Sequence, residues 1–378
     1  MKLVSIRYSE YKNQPKEWSL DEATFNQVTL IVGKNASGKT RTLNIINNLA
    51  RLIRGDIKPT YDSANFDATF DHEGNTCRYR LFISNGNVVE ENFELQGETL
   101  LIRGQKGIGK IFAHQLNKEI DFQTPPSDIA LTSRRDNIQH PFFEPLFNWA
   151  SSVYHYAFGT SLGRDILGLF KKEGIKFDPR NTSCVIPIYK HGEIEFQDSF
   201  KNAIKNDLKV IGYDLFDIGL ATPSRIITTD PPLAGELMGL WIQEKELKGK
   251  TEQDDISQGM FRALSLIIQL NYSKMALKPA CILIDDIGEG LDFERSCSLI
   301  NLLLEKVKET NTQLVMTTND RFVMNNVPLD MWTVLNRQGY HCKVINIHNA
   351  KDKFEKFRFT GLNNFDFFAT DYLNQENK

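Results

Sequence analysis

The chain has 378 residues, of which 41% are hydrophobic and 25% are charged, and its formal net charge is -3. This composition is typical of a globular protein and provides enough apolar material for a real core. The near-neutral charge gives no overall attraction to nucleic acid or to an anionic membrane, although it leaves room for a local basic face.

The first part of the chain, residues 1–112, is rich in predicted strands. Turn sequences at 72–75 and 84–87 separate alternating segments, which predicts β-hairpins. A β-branched apolar strand at 28–32 precedes a glycine-containing loop, and residues 41–50 after that loop have helical apolar spacing.

The middle and the last third of the chain differ in their predicted secondary structure. The middle favours helices at 142–158 and 196–211 and a strand at 183–190, with prolines between them. The last third alternates a helix from about Ser257, a strand at 280–284, a helix at 293–310 and a strand at 313–317. Two shorter strands are expected near Trp332 and Cys342.

This order predicts an α/β fold with a mostly parallel sheet, an antiparallel N-terminal β subdomain and an inserted, mixed and largely helical lobe. We expect three segments. Residues 1–123 form the N-terminal part of the core, 124–250 the inserted lobe, and 251–378 the C-terminal part of the core.

The loop after the strand at 28–32 has the phosphate-binding pattern G-x-x-x-x-G-K-[ST]. Its residues are Gly33, Lys34, Asn35, Ala36, Ser37, Gly38, Lys39 and Thr40. Glycines let backbone N–H groups face a polyphosphate, and the following helix N-terminus adds partial positive charge. Lys39 is expected to reach the β- and γ-phosphates, and the Thr40 hydroxyl to bind Mg²⁺.

Two carboxylates follow the apolar strand at 280–284. Asp285 suits a Mg²⁺ site beside a phosphate loop, and Asp286 suits the orientation and deprotonation of an attacking water. Upstream, Ser257 is a good helix N-cap, and with Gly259 it offers a hydroxyl and N–H groups to an anion.

Together these segments resemble the ATP-binding-cassette (ABC) superfamily, and more closely its soluble SMC-like and OLD-like ATPase heads. The resemblance covers the first 50 residues and about 250–325. The family's signature motif L-S-G-G-Q falls on 256–260, and the end of its D-loop falls on 290–292. The resemblance implies that ATP and Mg²⁺ bind. It also implies that Ser257 and Gly259 close over the nucleotide of a second copy, in a homodimer or higher oligomer.

Two positions depart from the family. Asp286 replaces the usual glutamate, and Asn319 replaces the switch histidine, which can take up a proton where an asparagine cannot. We therefore expect slow hydrolysis, with Glu289 as a competing base. The family's Q-loop is expected within 133–141, with Gln139 as the nucleotide-contacting residue; a solvated charged turn is the alternative reading of Arg134 and Arg135 there.

A second G-x-x-x-x-G-K pattern occupies 104–110. Ile111 stands where a hydroxyl is needed, so we interpret this segment as a basic loop between elements. Five cysteines are scattered without a C-x-x-C pair: Cys77, Cys184, Cys281, Cys297 and Cys342. They predict a reducing cytoplasm rather than disulfides or structural zinc, and we expect neither a signal peptide nor a membrane span.

The bacterial relatives that the chain resembles serve anti-phage defence and DNA maintenance, commonly with a separate effector such as a nuclease. The segment after Asp292 supplies no nuclease motif of its own. The alternative is a RecF- or SMC-like repair ATPase that binds DNA, so nucleic acid remains open as a partner. A transporter subunit ranks lowest, because that class normally has the glutamate and histidine and no long insertion.

Overall fold

The structure is a computed structural model, and it describes residues 1–170, 178, 180–225, 235–370 and 372–374. The described part contains no helix with the length and apolarity that crossing a membrane requires.

The chain divides into two compact units, each formed from separate stretches of sequence. The first unit comprises Met1–Val153, Gln313–Asn319 and Pro328–Lys378, and the second comprises Tyr154–Thr312 and Asp320–Val327. Residues 124–153 of the predicted insertion thus belong to the first unit. Residues 154–250 belong to the second, which also holds the predicted signature and Asp285.

The strands are bounded as follows: β1 Lys2–Glu10, β2 Trp18–Thr24, β3 Val28–Gly33, β4 Ser63–His72, β5 Asn75–Ser84, β6 Asn87–Leu95, β7 Glu98–Arg103, β8 Ile108–Ala113, β9 Lys118–Gln123, β10 Val153–Ala157, β11 Gly168–Phe170, β12 Leu215–Ala221, β13 Glu236–Glu244, β14 Thr251–Glu252, β15 Cys281–Asp285, β16 Gln313–Thr317, β17 Trp332–Gln338 and β18 His341–Asn346.

The α-helices are α1 Lys39–Arg54, α2 Ala130–Ser133, α3 Glu144–Ser151, α4 Val185–Val210, α5 Gln258–Met275, α6 Phe293–Lys308, α7 Arg321–Asn326, α8 Lys351–Arg358 and α9 Asn364–Ala369. Short 3₁₀ turns lie at Gln105–Gly107, Pro141–Phe143, Leu329–Met331 and Tyr372–Asn374.

The first unit is built on a sheet in which its strands follow the order β16-β3-β17-β18-β2-β1-β4-β5-β6-β7-β8-β9. Parallel pairing joins β3 to both β16 and β17, and β18 to β2. The other neighbours pair antiparallel. The predicted α/β class with an antiparallel N-terminal subdomain is confirmed, and its antiparallel part is larger than expected.

The strand that leads into the phosphate loop is central to this sheet. All six residues of β3 are buried, as expected for a strand with neighbours on both edges and cover on both faces. Helix α1 follows the loop and buries Leu43, Ile46 and Leu49 at helical spacing. The strand–loop–helix unit that the sequence predicts is therefore present.

The second unit contains helices α4 to α7 and two groups of strands. β10 and β15 are neighbours, and a smaller sheet has the order β11-β13-β12, with β14 paired to β13. Helix α4 is interrupted at Gln197, whose φ of 50° is outside the helical range. It is joined to α5 by the side chain of Asn271, which donates to Asp207 Oδ2 at 2.6 Å.

Two predictions for the middle of the chain were wrong. Residues 183–190 were predicted as a strand, but α4 begins at Val185 and includes the rest of that segment. Pro187 is tolerated there because it stands in the first helical turn, where its missing N–H costs no hydrogen bond. Ile186 and Tyr189 lie three residues apart and are both buried. The helix predicted over 142–158 ends at Ser151, and its second half is strand β10.

The predictions of the two hairpin turns and of the strand at 313–317 are confirmed. The two hairpin turns connect β4 to β5 and β5 to β6, with positive φ at Glu73, Gly74, Asn85 and Gly86. Such turns are expected where the two central residues tolerate left-handed conformation. The strand predicted at 313–317 is β16 with the same bounds.

Candidate nucleotide-binding site

The phosphate loop runs from the end of β3 to the first residue of α1. Two of its residues have left-handed conformations, Ala36 with φ 61° and Gly38 with φ 107°. Gly38 is the N-cap of the 16-residue helix α1, and no side chain caps it. The first helical turn carries no acidic residue. Its N–H groups therefore present a positive end that no acidic side chain of the helix's own first turn offsets.

Close packing explains the two glycines of this loop. A Cβ on Gly33 would overlap the Ser37 hydroxyl and lie 2.8 Å from the Leu335 carbonyl oxygen. A Cβ on Gly38 would lie 3.0 Å from the Trp18 ring, in addition to the strain of its positive φ. The loop is thus held between β2 and β17 of the first unit.

The charged and hydroxyl side chains of the loop fit a polyphosphate. Lys39 is 7% exposed, and its Nζ donates to the Gly33 carbonyl at 2.9 Å and to that of Lys34 at 3.4 Å. The Ser37 hydroxyl is buried and has no hydrogen-bond partner among the described residues. Thr40 is exposed. A buried hydroxyl, an ammonium bonded to the loop carbonyls and an uncapped helix end are groups of the kind that bind phosphate oxygens.

The predicted switch residue lies at the same edge of the sheet as this loop. Because β16 runs parallel to β3, with Thr317 opposite Ile31, both chains leave the sheet in the same direction. Asn319, two residues beyond β16, is exposed. Its placement suits contact with a ligand at the loop.

Gln139 lies just before the 3₁₀ turn at Pro141–Phe143. Its side-chain amide donates to Gln115 Oε1 at 3.2 Å, in the turn between β8 and β9. Its backbone N–H donates to Asp136 Oδ1 at 2.9 Å. Both contacts are with residues of the first unit, Gln115 and Asp136, and the assignment of Gln139 to nucleotide binding stays a prediction.

In the second unit, Asp285 ends the buried strand β15 and is 8% exposed. Its backbone carbonyl accepts a hydrogen bond of 3.0 Å from the N–H of Phe158, which follows β10. Asp286 has φ 54°, an uncommon conformation for a residue other than glycine. The chain therefore turns sharply between the two carboxylates that the sequence assigned to metal and to water.

The predicted signature residues stand at the start of α5. Ser257 is the N-cap, and its hydroxyl accepts from the Met260 N–H at 3.4 Å. A Cβ on Gly259 would overlap the carbonyl oxygen of Gly290. The signature and the D-loop, which the sequence identified as separate motifs, are thus in direct contact within the second unit.

An arginine that the sequence reasoning did not single out joins these segments. Arg262 is 4% exposed and donates through Nη1 to the Glu289 carbonyl at 2.8 Å. Its Nε and Nη2 donate to the Thr160 carbonyl at 3.2 and 3.0 Å. Burial lowers the pKa of this guanidinium from its usual value, with the charge of Glu289 opposing that shift. The sequence feature that could have identified Arg262 is its position as a charged residue within an apolar helical segment.

The loop after β10 is a second feature that the sequence did not reveal. Arg164 donates to the Ile256 carbonyl at 3.0 Å, next to the signature. Buried Gln253 donates to the carbonyls of Arg164 and Ile166 at 2.9 and 2.8 Å. Residues 158–166 are thus anchored to both the Asp285 strand and the signature helix.

The other glycine pattern has a different setting. Residues 104–110 connect β7 to β8, and Lys110 lies inside strand β8 rather than at the beginning of a helix. Its ammonium lies 4.0 Å from the carboxylate of Glu119 on β9. This segment has no helix N-terminus to offer a phosphate.

Comparison with solved structures shows similarity to SMC heads. The SMC head solved in complex with the C-winged helix domain of ScpA is 14% identical, with a TM-score of 0.53, over 91% of this chain and 98% of that chain. The SMC head domain from Thermotoga maritima is 15% identical, with a TM-score of 0.46, over 92% and 99%. At such identities the similarity of the first structure shows a shared fold.

Among curated proteins, no match was found. A family model described as "AAA domain, putative AbiEii toxin, Type IV TA system" matches residues 28–325, from β3 to α7. This range includes the phosphate loop, the signature helix, Asp285 at the end of β15 and Asp286 after it. The chain therefore belongs to this family of AAA-domain proteins, and its fold is similar to that of an SMC head.

Proposed function

We propose that this chain binds ATP with Mg²⁺, hydrolyses the ATP slowly, and dimerises around it in the cytoplasm to regulate a separate effector in bacterial anti-phage defence. The observation that carries the proposal is the phosphate loop at the uncapped N-terminus of α1, in a chain of an ATPase family.

The residues of the first unit would bind the triphosphate. The N–H groups of 34–40 face phosphate oxygens, and Lys39 exchanges its two backbone acceptors for the β- and γ-phosphates. The Thr40 hydroxyl and Asp285 would hold Mg²⁺. When bound, this ion neutralises phosphate charge and orients the γ-phosphate.

Water activation is assigned to Asp286, with Glu289 as the competing base and Asn319 as a hydrogen-bonding partner of the γ-phosphate. The positive φ of Asp286 supports this role, because uncommon backbone conformations of residues other than glycine are frequent at functional sites. Gln139 is proposed as a further contact. Hydrolysis by Asp286→Asn and Glu289→Gln variants separates the two bases. Loss of turnover in the first alone supports the assignment, whereas full activity of Asp286→Asn removes Asp286 from the mechanism.

Dimerisation is proposed to bring Ser257 and Gly259 of one copy onto the ATP of another. Ser257 is exposed at the N-terminus of α5, as such a role requires. Ser257→Asp keeps an N-cap acceptor but places negative charge against phosphate. Light scattering with ATP and Mg²⁺ should show a dimer, or a higher oligomer, for the parent and a monomer for the variant. An unchanged oligomer in the variant would contradict this arrangement.

The effector is proposed to be a separate protein such as a nuclease. Affinity purification with ATP present, followed by mass spectrometry and by inspection of the neighbouring genes, tests this part. An adjacent nuclease or toxin gene supports it, and an adjacent permease gene contradicts it.

A DNA-binding repair ATPase is the second candidate, favoured by the fold similarity to an SMC head. It predicts that duplex DNA stimulates ATP hydrolysis with a steep salt dependence. An ATPase rate that is unchanged by DNA at low salt would contradict the repair function and favour the regulation of a separate effector.

A further inference from the structure

Two phenylalanines form an aromatic pair at the surface of the second unit, close to two of the predicted motifs. Phe293 is the first residue of α6, directly after the end of the D-loop, and Phe322 lies in α7, shortly after Asn319. Their ring centroids are 4.6 Å apart, with an angle of 62° between the rings. This edge-to-face contact stabilises the pair. Phe293 is nevertheless 54% exposed.

The exposure of Phe293 differs from that of the other apolar side chains of its helix. Leu299, Ile300 and Leu303 of α6 are fully buried. The part of the Phe293 ring that stays in water forgoes the stabilisation that its burial would give. A single exposed apolar residue is ordinary on a protein surface, so the charges beside Phe293 decide what it indicates.

Charged side chains of opposite sign stand next to the aromatic pair. The guanidinium of Arg321 lies over the ring of Phe322, 4.7 Å from its centroid. Glu294 follows Phe293 in the first turn of α6. Both charged residues are exposed, and neither forms an ion pair within the part of the chain that the structure describes. We call Phe293, Glu294, Arg321 and Phe322 the aromatic patch.

The aromatic patch is complementary to itself in charge. In a dimer with two-fold symmetry, every contact between two different residues occurs twice, with the two copies exchanged. Arg321 of each copy can therefore meet Glu294 of the other copy, and the Phe293 rings can be buried between the copies. A surface with both signs of charge and an exposed ring favours a second copy of this chain over a partner of one uniform charge.

The position of the aromatic patch also fits the proposed dimer. The patch begins directly after the D-loop, in which the Gly290 carbonyl packs on Gly259 of the signature helix. All these residues belong to the second unit. A second copy that covers the signature therefore lies next to the aromatic patch as well.

We propose that the aromatic patch is an isologous contact between two copies of this chain, in which Arg321 pairs with Glu294 in both directions and the Phe293 rings are buried. This inference rests on the proposed ATP-dependent dimer and names residues outside the nucleotide site that stabilise it. Because exposed ion pairs are weak, burial of the rings is expected to supply most of the affinity, and the charges to fix the register of the two copies.

The test uses the full chain with ATP and Mg²⁺, and analytical ultracentrifugation measures the dissociation constant of the dimer. Phe293→Ala should raise this constant about tenfold or more, because it removes the exposed ring from the contact. Glu294→Arg and Arg321→Glu should each raise it by a similar factor, since each places like charges together at both halves of the contact. Both charged residues are exposed, so these two variants are compatible with folding even if Phe293→Ala is not.

Phe216→Ala is the matched control for the loss of the ring. Phe216 is a 61% exposed phenylalanine on β12, in the same unit but outside the aromatic patch. Its replacement should leave the dissociation constant of the dimer unchanged. A dimer weakened as much by Phe216→Ala as by Phe293→Ala would overturn the specific role of the patch.

Mixing the two charge variants distinguishes a contact between copies from a contact within one chain. In a dimer of one Glu294→Arg chain and one Arg321→Glu chain, both pairs again have opposite charges. The mixture should therefore dimerise nearly as tightly as the parent, although neither variant does so alone. Charge variants that stay equally weak when mixed would overturn the contact.

The remaining outcomes separate this inference from the proposed function. Parent-like dimers of both charge variants would overturn the aromatic patch and leave the proposed function intact, whereas a parent that binds ATP but stays monomeric would contradict the proposed dimer as well. Titration of a fluorescent ATP analogue into dilute, monomeric protein should give parent-like affinity for both variants. A lower affinity would assign these residues to the nucleotide site and overturn the inference.

Discussion

Gly259 of the signature helix packs directly against Gly290 of the D-loop. A Cβ on Gly259 would overlap the Gly290 carbonyl oxygen and lie 3.2 Å from the Leu291 side chain. Gly290 itself has φ 81°, a conformation that favours glycine. No side chain separates the two motifs, so a displacement of the D-loop is transmitted to the start of α5.

Gly259→Ala should disturb this contact. Overpacking of a close contact costs about 1–3 kcal/mol, and we expect that loss in the free energy of unfolding together with slower ATP hydrolysis. Urea unfolding measures the first effect. Gly249→Ala is the control, because no atom lies within 4 Å of a Cβ at that position. Equal stability of the two variants would show that the helix start shifts freely.

Arg262→Gln should weaken the link between the signature helix, the D-loop and the loop after β10. Loss of a charge-assisted hydrogen bond costs about 1.5–3 kcal/mol, so we expect lower stability and reduced turnover with ATP binding retained. Arg262→Lys should rescue little, because a single ammonium does not reproduce the planar fork that contacts two carbonyls.

The control for that experiment is Arg225→Gln. Arg225 is an exposed arginine of the same unit, paired with Asp254 and Asp255 on the surface. Exposed pairs contribute about 0–1 kcal/mol, so both stability and turnover should stay near the parent values. Parent-like turnover in Arg262→Gln would show that this arginine is not needed for ATP hydrolysis.

A buried ion pair stabilises the antiparallel part of the first unit. Glu91 and Arg103 are fully buried, with 3.0 Å between Oε2 and Nη1. The Glu91 carboxylate also accepts from the N–H groups of Ala130 and Leu131 at 2.7 and 2.8 Å, which tethers the start of α2 to the sheet. Tyr79 donates a further bond at 3.1 Å.

Glu91→Gln should leave the charge of Arg103 buried without its partner. Breaking a buried pair on one side costs about 3–5 kcal/mol, which thermal and urea unfolding both detect. Glu94→Gln, which removes the part-exposed pair with Arg80, should cost about 0–1 kcal/mol. Similar losses in the free energy of unfolding for both variants would contradict a larger contribution from the buried pair.

Cys342 should be an unreactive thiol at pH 8. Its Sγ donates to the Ser37 carbonyl at 3.2 Å, and burial raises its pKa to about 11. In the unfolded chain the thiol loses its proton first as pH rises, so stability should fall between about pH 9 and about pH 11. Alkylation should require urea, and Cys342→Ala should flatten this part of the pH profile. Rapid alkylation of Cys342 in the folded protein at pH 8 would contradict the burial.

Local sequence was sufficient where neighbours along the chain decide the structure. The phosphate loop was predictable because its glycines, Lys39 and Thr40 stand between a strand and a helix that both have clear periodicity. Strand β16 was also predictable, from the apolar pattern of its own residues. The hairpins were predictable from turn residues that tolerate positive φ.

Distant contacts decide what the sequence did not reveal. The β-branched start of α4 is helical because its buried side chains face other elements; Tyr189, for example, donates to the Ile218 carbonyl at 2.9 Å. The bonds from Arg262 to Thr160 span 102 residues. No local pattern marks a backbone carbonyl as the acceptor of a distant guanidinium.

Calorimetric titration of ATP with Mg²⁺ into Lys39→Ala and into the parent measures whether the loop at 33–40 binds the nucleotide. Lys110→Ala is the matched control, since it removes the lysine of the other G-x-x-x-x-G-K pattern. Loss of a charged contact to phosphate predicts an affinity about 10- to 150-fold weaker for Lys39→Ala and unchanged for Lys110→Ala. Parent-like affinity in Lys39→Ala would contradict the account.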